Sequence, residues 1–144
     1  MRLALVADLH GNLPALEAAD RQLRALSPDE IWFLGDAVGK GPGNAAACDW
    51  VRENCARAVG GNWDYGIGRK QFSADGYFWD QLGPERMAYL AQLPPETEAW
   101  ISGVHFRFFH GRPVSPLLLA QTPQIFPTRV LQRSYQSPLV ESAT

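Results

Sequence analysis

Residues 2–12 read RLALVADLHGN, a short apolar run that ends in a cluster of polar and glycine residues. Such a run predicts a buried strand over residues 2–7 that leads into a loop. Residues 13–26 then repeat leucine and alanine at helical spacing, and Asn12 and Pro14 suit the start of a helix. The stretch therefore predicts a strand, a polar loop and a helix, in that order.

The same alternation continues through the first half of the chain. Further strands are predicted at residues 31–34 and 56–59, and between them a glycine-rich loop precedes a helix that Asn44 caps and that ends near Cys55. Short apolar strands that alternate with helices favour a parallel sheet covered on both faces. The sequence therefore predicts an α/β fold.

The second half shows weaker patterns. Residues 63–79 have no clear period, and residues 84–93 are predicted to form a helix that Pro94 and Pro95 stop. Two strands, at 97–101 and 104–109, are predicted to form a hairpin that turns at Ser102-Gly103.

The last part of the chain differs in composition. Residues 113–144 hold five of the eleven prolines and show no sustained period, which predicts an irregular or disordered tail. We therefore divide the chain into a partial domain over residues 1–112 and a tail over 113–144.

Charge and cysteine usage narrow the class of protein. Thirteen basic and fifteen acidic residues give a formal net charge of −2, which favours neither a nucleic-acid partner nor an anionic membrane. The sequence also contains no apolar run near the ~20 residues of a membrane span. Cys48 and Cys55 lie about 10 Å apart in one predicted helix, too far for a disulfide, and are expected in the core. These observations predict a cytoplasmic protein.

Polar side chains follow four of the predicted strands. They are two carboxylates, two imidazoles and one amide, on Asp8, His10, Asp36, Asn62 and His110. Each has an ordinary alternative: Gly-Asp and Gly-Asn are turn dipeptides, and a histidine at a strand end is often only hydrogen-bonded. Since loops after parallel strands converge on one edge of a sheet, the five together favour a shared metal site.

Asp8-x-His10, Gly35-Asp36, Gly61-Asn62 and His110 resemble the successive motifs of the calcineurin-like metallophosphoesterases. The flanking segments at 8–18 and 33–42 are similar to the bacterial branch of that family, and the resemblance covers about residues 1–115. It implies a four-layered α/β/β/α sandwich, here C-terminally incomplete. It also implies hydrolysis of phosphomonoester or phosphodiester bonds in a small phosphorylated substrate by a metal-bound hydroxide.

The resemblance also implies the roles of individual residues. Two divalent ions (manganese, iron, zinc or similar) would be held, one by Asp8, His10 and Asp36 and the other by Asp36, Asn62 and His110. Asn12 and the backbone N–H groups of Gly11 and Gly61 would cradle the phosphate. Asn62 and Asp64 are the catalytic candidates.

One departure from the family pattern concerns the proton donor. The family commonly has a histidine after Gly-Asn, whereas this chain has Trp63 and then Asp64. An indole N–H does not titrate, so Trp63 is not a general acid. Asp64 would replace the histidine only if its pKa were raised. The sequence therefore predicts a preference for substrates with good leaving groups, such as aryl phosphodiesters or anhydrides.

The second departure concerns the final metal ligands. The family ends its site with Gly-His-x-His, which this sequence lacks, and the odd spacing of His105 from His110 predicts that they face opposite ways. We expect that the proper continuation was lost by truncation or frameshift. Two readings stay open, an active or weakened phosphoesterase and a non-catalytic remnant or metal-binding module. The sequence does not indicate the natural substrate, the metal or the oligomeric state.

Overall fold

A computed structural model describes residues 1–72 and 76–111. Nine elements follow one another in these residues: β1 (Leu3–Val6), α1 (Leu13–Leu26), β2 (Glu30–Leu34), α2 (Asn44–Asn54), β3 (Arg57–Val59), α3 (Asn62–Gly68), α4 (Gly76–Gln92), β4 (Glu96–Ile101) and β5 (Val104–Phe109). The tail predicted for 113–144 lies outside the described residues.

The first three strands form the predicted parallel sheet, in the order β1-β2-β3. Leu3 pairs with Glu30 and Val6 with Phe33, while Leu34 pairs with Val59. Each parallel connection needs a crossover, and α1 and α2 supply them. All three strands therefore end at one edge of the sheet, as the sequence predicts.

Helix α1 has the bounds that its leucine spacing predicts. The side chain of Asn12 accepts from the Ala15 N–H at 3.2 Å, which satisfies one of the free donors of the first turn. The helix ends at Ser27, which takes a left-handed backbone (φ 45°) and donates its N–H to Leu23.

The prediction that Asn44 caps α2 is wrong. Gly43 is the N-cap, and Asn44 is the first helical residue, fully buried. Its side-chain oxygen accepts from the Gly39 N–H at 2.8 Å, and its amide donates to the Gly41 carbonyl at 2.9 Å. Asn44 thus binds the preceding loop rather than the helix end.

Residues 63–79, in which the sequence shows no clear period, are largely helical where the structure describes them. Helix α3 and the start of α4 occupy most of this range. The first is only seven residues long and contains Gly66 and Gly68, too short a stretch to show a period. Helix α4 breaks at Gly83 (φ 67°) before Pro84, so the predicted helix at 84–93 is its second half.

The hairpin of β4 and β5 is confirmed. The strands pair antiparallel, with Ile101 opposite Val104. Ser102 and Gly103 both have positive φ, 51° and 79°, the backbone that a tight hairpin turn requires.

Alternation along β2 separates the two faces of the parallel sheet. Phe33 packs with the buried residues of all four helices. Trp32 and Leu34 point the other way and pack against Phe108 of the hairpin, with the Trp32 and Phe108 rings edge to face at 4.8 Å. The described residues therefore form three layers: helices, parallel sheet and hairpin. The fourth, helical layer is not among the elements of 1–72 and 76–111.

Cys48 and Cys55 are free thiols. Burial raises the pKa of each to about 12, so neither is reactive near neutral pH. Cys48 lies in the core, as predicted, whereas Cys55 is only partly buried and packs against it. None of the helices within the described ranges is long and apolar enough to cross a membrane.

Candidate metal centre

Backbone hydrogen bonds join the loops that follow β1 and β2. The N–H groups of Asp8, His10 and Gly11 donate to the carbonyls at 35, 36 and 37, at 2.9, 3.0 and 2.9 Å. The two loops thus continue the pairing of their strands for several residues. This brings Asp8 and His10 beside Asp36.

Three of the predicted ligands have an unusual backbone. Asp8, His10 and Asp36 have φ of 57°, 48° and 61°, in the left-handed region that side chains other than glycine seldom adopt. Such strain persists where the surrounding structure holds it, often at functional sites. Here the hydrogen bonds between the two loops hold it.

Asp36 lies at the centre of the cluster and is 3% exposed. Its Oδ1 accepts a hydrogen bond from the backbone N–H of Trp63 at 3.0 Å. Its Oδ2 is 3.6 Å from Nε2 of His10 and 3.4 Å from Nε2 of His110. One carboxylate oxygen therefore lies between two imidazole nitrogens.

His110 reaches this cluster from the other sheet, immediately after β5. Its Nδ1 is 2.9 Å from the Leu34 carbonyl, which only accepts, so Nδ1 carries the proton. This leaves Nε2 to face Asp36, the orientation that metal-binding histidines commonly have. The facing Asp36 carboxylate raises the pKa of His110 to about 9.

His10 is oriented in a similar way. Its Nδ1 lies 3.3 Å from the Val38 carbonyl, and its Nε2 lies 3.7 Å from Oδ1 of Asp8. The Asp8 side chain is 43% exposed. The cluster is therefore closed by Asp36 on its protein side and open to solvent at Asp8.

This arrangement fits a divalent cation. Asp8, Asp36 and His110 each offer one ligand atom, and these three atoms lie within 4.8 Å of one another. A set of carboxylate and imidazole ligands suits manganese, iron or zinc. The buried Oδ2 of Asp36 also faces two nitrogens, a geometry that a shared cation would satisfy.

Asn62 lies next to the cluster as the exposed first residue of α3. It is flanked by two residues that contact Asp36: Trp63 through its N–H, and Gly61, where a Cβ would overlap the carboxylate. Only glycine fits this approach. Its place is consistent with a ligand, and that role stays a prediction.

The expected phosphate cradle needs correction. The Gly11 N–H donates to the Ala37 carbonyl at 2.9 Å, and the Gly61 N–H donates to Oδ2 of Asp64 at 2.9 Å. Both donors are thus occupied within the protein and are not available to a phosphate. Ala37, the partner of Gly11, is distant in sequence, whereas Asp64 lies only three residues after Gly61 and accepts its N–H at the start of α3.

Asp64 is fully buried. Its Oδ2 accepts from the N–H groups of Asp36 and Gly61, and its Oδ1 from those of Ala37 and Val38, at 2.8 to 3.3 Å. Burial raises its pKa to about 6, although these N–H groups oppose the shift. The raised pKa would suit a general acid, but both oxygens face the backbone. The geometry therefore favours a structural role, and the catalytic role stays a prediction.

An open cleft of about 440 Å³ adjoins the cluster. Asp8, His10, Asn12 and Lys40 contribute to its lining. Asn12 uses its oxygen to cap α1, and its predicted substrate contact stays a prediction. Lys40 was not singled out from the sequence; the one available signal is a cationic residue between two glycines in the loop after Asp36.

His105 points away from the cluster, as its spacing predicts. Its ring stacks on Trp100 with centroids 4.9 Å apart, and its Nε2 is 3.3 Å from Glu98. It therefore does not replace the missing histidines.

Comparison with known proteins agrees with this geometry. The model of the family described as calcineurin-like phosphoesterase matches residues 1–140. An uncharacterized protein of Methanocaldococcus jannaschii is 31% identical over 124 residues, which cover 79% of this chain and 51% of that protein.

Two solved structures are similar in fold. A metallophosphoesterase from Sphaerobacter thermophilus has a TM-score of 0.66 and 33% identity, over 82% of this chain and 49% of that one. A hypothetical protein from Pyrococcus horikoshii OT3 has a TM-score of 0.68 over 97% of this chain and 66% of that one; at 23% identity it bears on the fold alone. The chain spans about half the length of the first two relatives.

Proposed function

This chain belongs to the calcineurin-like phosphoesterase family, and from that premise we propose that it is a metal-dependent hydrolase of phosphomonoester or phosphodiester bonds. One observation carries the proposal. The buried Oδ2 of Asp36 lies within 3.6 Å of the Nε2 atoms of His10 and His110, and Asp8 lies beside them. A cluster with a purely structural role would not need two imidazoles directed at one carboxylate, nor the left-handed backbone that Asp36 adopts.

We propose that two divalent ions, such as manganese, iron or zinc, bind here. Asp8, His10 and Asp36 would hold one, and Asp36, Asn62 and His110 the other. When bound, such ions supply a nucleophile from water near neutral pH and neutralise charge on the phosphate.

The chain's own residues prepare this site. The Leu34 carbonyl fixes the His110 ring with Nε2 inward, and the Trp63 N–H fixes Oδ1 of Asp36 so that Oδ2 faces the histidines. The exposed side of Asp8 leaves room for a phosphate to enter from the cleft. Preorganised groups of this kind need little rearrangement when the substrate binds.

The substrate and its location are also proposals. A cleft of about 440 Å³ suits a small phosphorylated molecule rather than a macromolecule. Free thiols and the net charge of −2 support action in the cytoplasm.

The alternative is a metal-binding module without catalysis. The three mutually close atoms of Asp8, Asp36 and His110 are enough for one cation, whereas the two-ion mechanism needs more ligands. This second reading is favoured if a second ion does not bind.

Manganese-dependent hydrolysis of a bis-aryl phosphate, measured together with bound-metal stoichiometry, separates the two. We expect turnover with more than one ion per chain, and loss of turnover in Asp36→Asn. Asp49 forms a partly exposed ion pair with Arg86, outside the candidate metal centre. The Asp49→Asn variant therefore serves as a matched control and should retain activity. No turnover with one bound ion would support the metal-binding module instead, and no turnover with no bound ion would support a non-catalytic remnant.

A further inference from the structure

Lys40 lies beside the candidate metal centre although its side chain is exposed. Its Nζ is 3.4 Å from Nε2 of His10 and 5.7 Å from the centroid of the Trp63 ring. Within the described residues, Lys40 is the one lysine or arginine that lines the cleft next to Asp8 and His10. It therefore places a positive charge where a phosphate would enter.

The backbone of Lys40 is held in place on both sides. Gly39 has a φ of 117°, and a Cβ on it would lie 2.7 Å from the Trp63 ring, so a larger residue would push Trp63 and the loop apart. Gly41 donates its N–H to the His10 carbonyl at 2.7 Å. The loop thus fixes the start of the Lys40 side chain.

The Lys40 ammonium lies over the Trp63 ring. The ring is packed edge to face against Phe72 at 5.5 Å and against His10 at 5.9 Å, so it is a fixed surface rather than a mobile one. An indole face attracts a nearby cation. This holds the Lys40 charge close to the cluster.

Charge indicates what Lys40 would bind. A cation held by Asp8, His10 and Asp36 would repel the ammonium at His10, so Lys40 does not complete that metal shell. A phosphate offers oxygens with the opposite charge, and an ammonium binds them as a point charge.

We propose that Lys40 is a substrate-binding residue that pairs with the phosphoryl oxygens in the cleft and strengthens the binding of dianionic phosphomonoesters more than that of monoanionic diesters. The inference rests on the proposed function for its substrate class. A monoester carries close to two negative charges near neutral pH, as phosphate on a side chain does. One additional cation therefore favours it more than a diester.

The chain offers a matched control. Lys70 lies over Trp79 at 5.0 Å from the ring centroid, which repeats the arrangement of Lys40 over Trp63 in a different cleft. Lys40→Met removes the charge at similar length, Lys40→Arg keeps it, and Lys70→Met removes an equal charge elsewhere.

The primary measurement is the Kd of inorganic phosphate for the manganese-loaded full chain, by calorimetry, with bound metal counted in each variant. We expect Lys40→Met to weaken phosphate binding about tenfold, the low end for a charge-assisted hydrogen bond. Lys40→Arg and Lys70→Met should stay within about threefold of the unchanged protein. Metal content should not fall in Lys40→Met, because the variant removes a cation from the site.

Kinetics give the second readout. In Lys40→Met, KM for an aryl phosphomonoester should rise about tenfold and KM for the matching diester by less, with kcat nearly unchanged. Unchanged phosphate binding in Lys40→Met, a loss explained by lost metal, or an equal loss in Lys70→Met would overturn the inference. An absence of turnover in the unchanged protein would count against the proposed function, while the phosphate titration would still decide the role of Lys40.

Discussion

Asp36 and Asp64 are both buried carboxylates, 3% and 0% exposed, and the Asp36 N–H donates to Asp64. Their other partners differ. The two oxygens of Asp64 accept from four backbone N–H groups, whereas Oδ2 of Asp36 faces two imidazole nitrogens. Burial alone therefore does not indicate a functional carboxylate; the identity of the facing groups does.

The two carboxylates also act at different levels. Asp64 binds the start of the loop after β2 to the start of α3, and so positions the backbone that carries Asp36. Asp36 presents its free oxygen to the histidines. One residue is therefore expected to affect mainly folding, and the other mainly metal binding.

The largest effect is expected from Asp64→Asn. The side-chain NH2 group of the new asparagine would face backbone N–H groups that now donate hydrogen bonds to Asp64. We therefore expect the free energy of unfolding to fall by about 3 kcal/mol. Denaturant unfolding of the metal-free protein measures this. Asp49→Asn, which removes a half-exposed carboxylate from its pair with Arg86, should cost under about 1 kcal/mol. Equal losses in the two variants would contradict a structural role for Asp64.

Asp36→Asn tests the other side of the comparison. The amide oxygen can still accept from the Trp63 backbone N–H, but at neutral pH the variant loses the pairing of the Asp36 carboxylate with protonated His110. The free energy of unfolding of the metal-free protein should therefore fall by about 1–2 kcal/mol, less than in Asp64→Asn. Manganese affinity should fall at least about a hundredfold, because the central anionic ligand is gone. Calorimetric titration with manganese measures this, and retained affinity would rule out Asp36 as a ligand.

The pH dependence of metal binding gives a smaller effect. The pKa of His110, about 9, means that the ring is protonated at neutral pH in the metal-free protein and must lose a proton to offer Nε2. Apparent manganese affinity should therefore fall about tenfold for each pH unit below that pKa.

His110→Gln should remove this slope, whereas His105→Gln should retain it because His105 faces Glu98 away from the cluster. Titrations at three pH values between 6 and 8 suffice. An affinity independent of pH would indicate that His110 is not a ligand.

The smallest effect concerns the proton donor. Without a titrating group at 63, rates should fall steeply as the leaving-group pKa rises, and Trp63→His should speed hydrolysis of a poor alkyl leaving group about tenfold. A series of substrates measured in both proteins tests this. A flat dependence in the unchanged protein would mean that an acid is already present, with Asp64 as the candidate, and would remove the distinction between the two carboxylates.

Much of the fold follows from local patterns. The apolar runs of β1 and β2, the leucine spacing of α1 and the Ser102-Gly103 turn predict their elements closely, because each depends on residues near in sequence. Asp8, Asp36 and His110 were likewise predicted to meet. The convergence of parallel strand ends accounts for Asp8 and Asp36, whereas His110 follows the antiparallel hairpin and reaches them because that hairpin packs on the parallel sheet.

What the sequence did not reveal depends on the path that the loops take in the folded chain. Asn44 turns inward to Gly39 and Gly41 instead of capping its helix, and the N–H groups of Gly11 and Gly61 are taken by Ala37 and Asp64. Ala37 is distant from Gly11 in sequence, but Gly39 and Gly41 lie five and three residues before Asn44, and Asp64 lies three residues after Gly61. In these cases the spacing alone was not enough, because the conformation of the loop decides which groups face each other. Lys40 was missed for the same reason, because its relation to His10 and Trp63 exists only after folding.

The most direct test of the proposed metal centre is anomalous diffraction from crystals of the full chain soaked with manganese. We predict an anomalous peak in contact with Oδ2 of Asp36 and with Nε2 of His10 or His110. A peak elsewhere, or none at Asp36 in crystals where manganese is otherwise bound, would contradict the claim that these side chains form a metal centre.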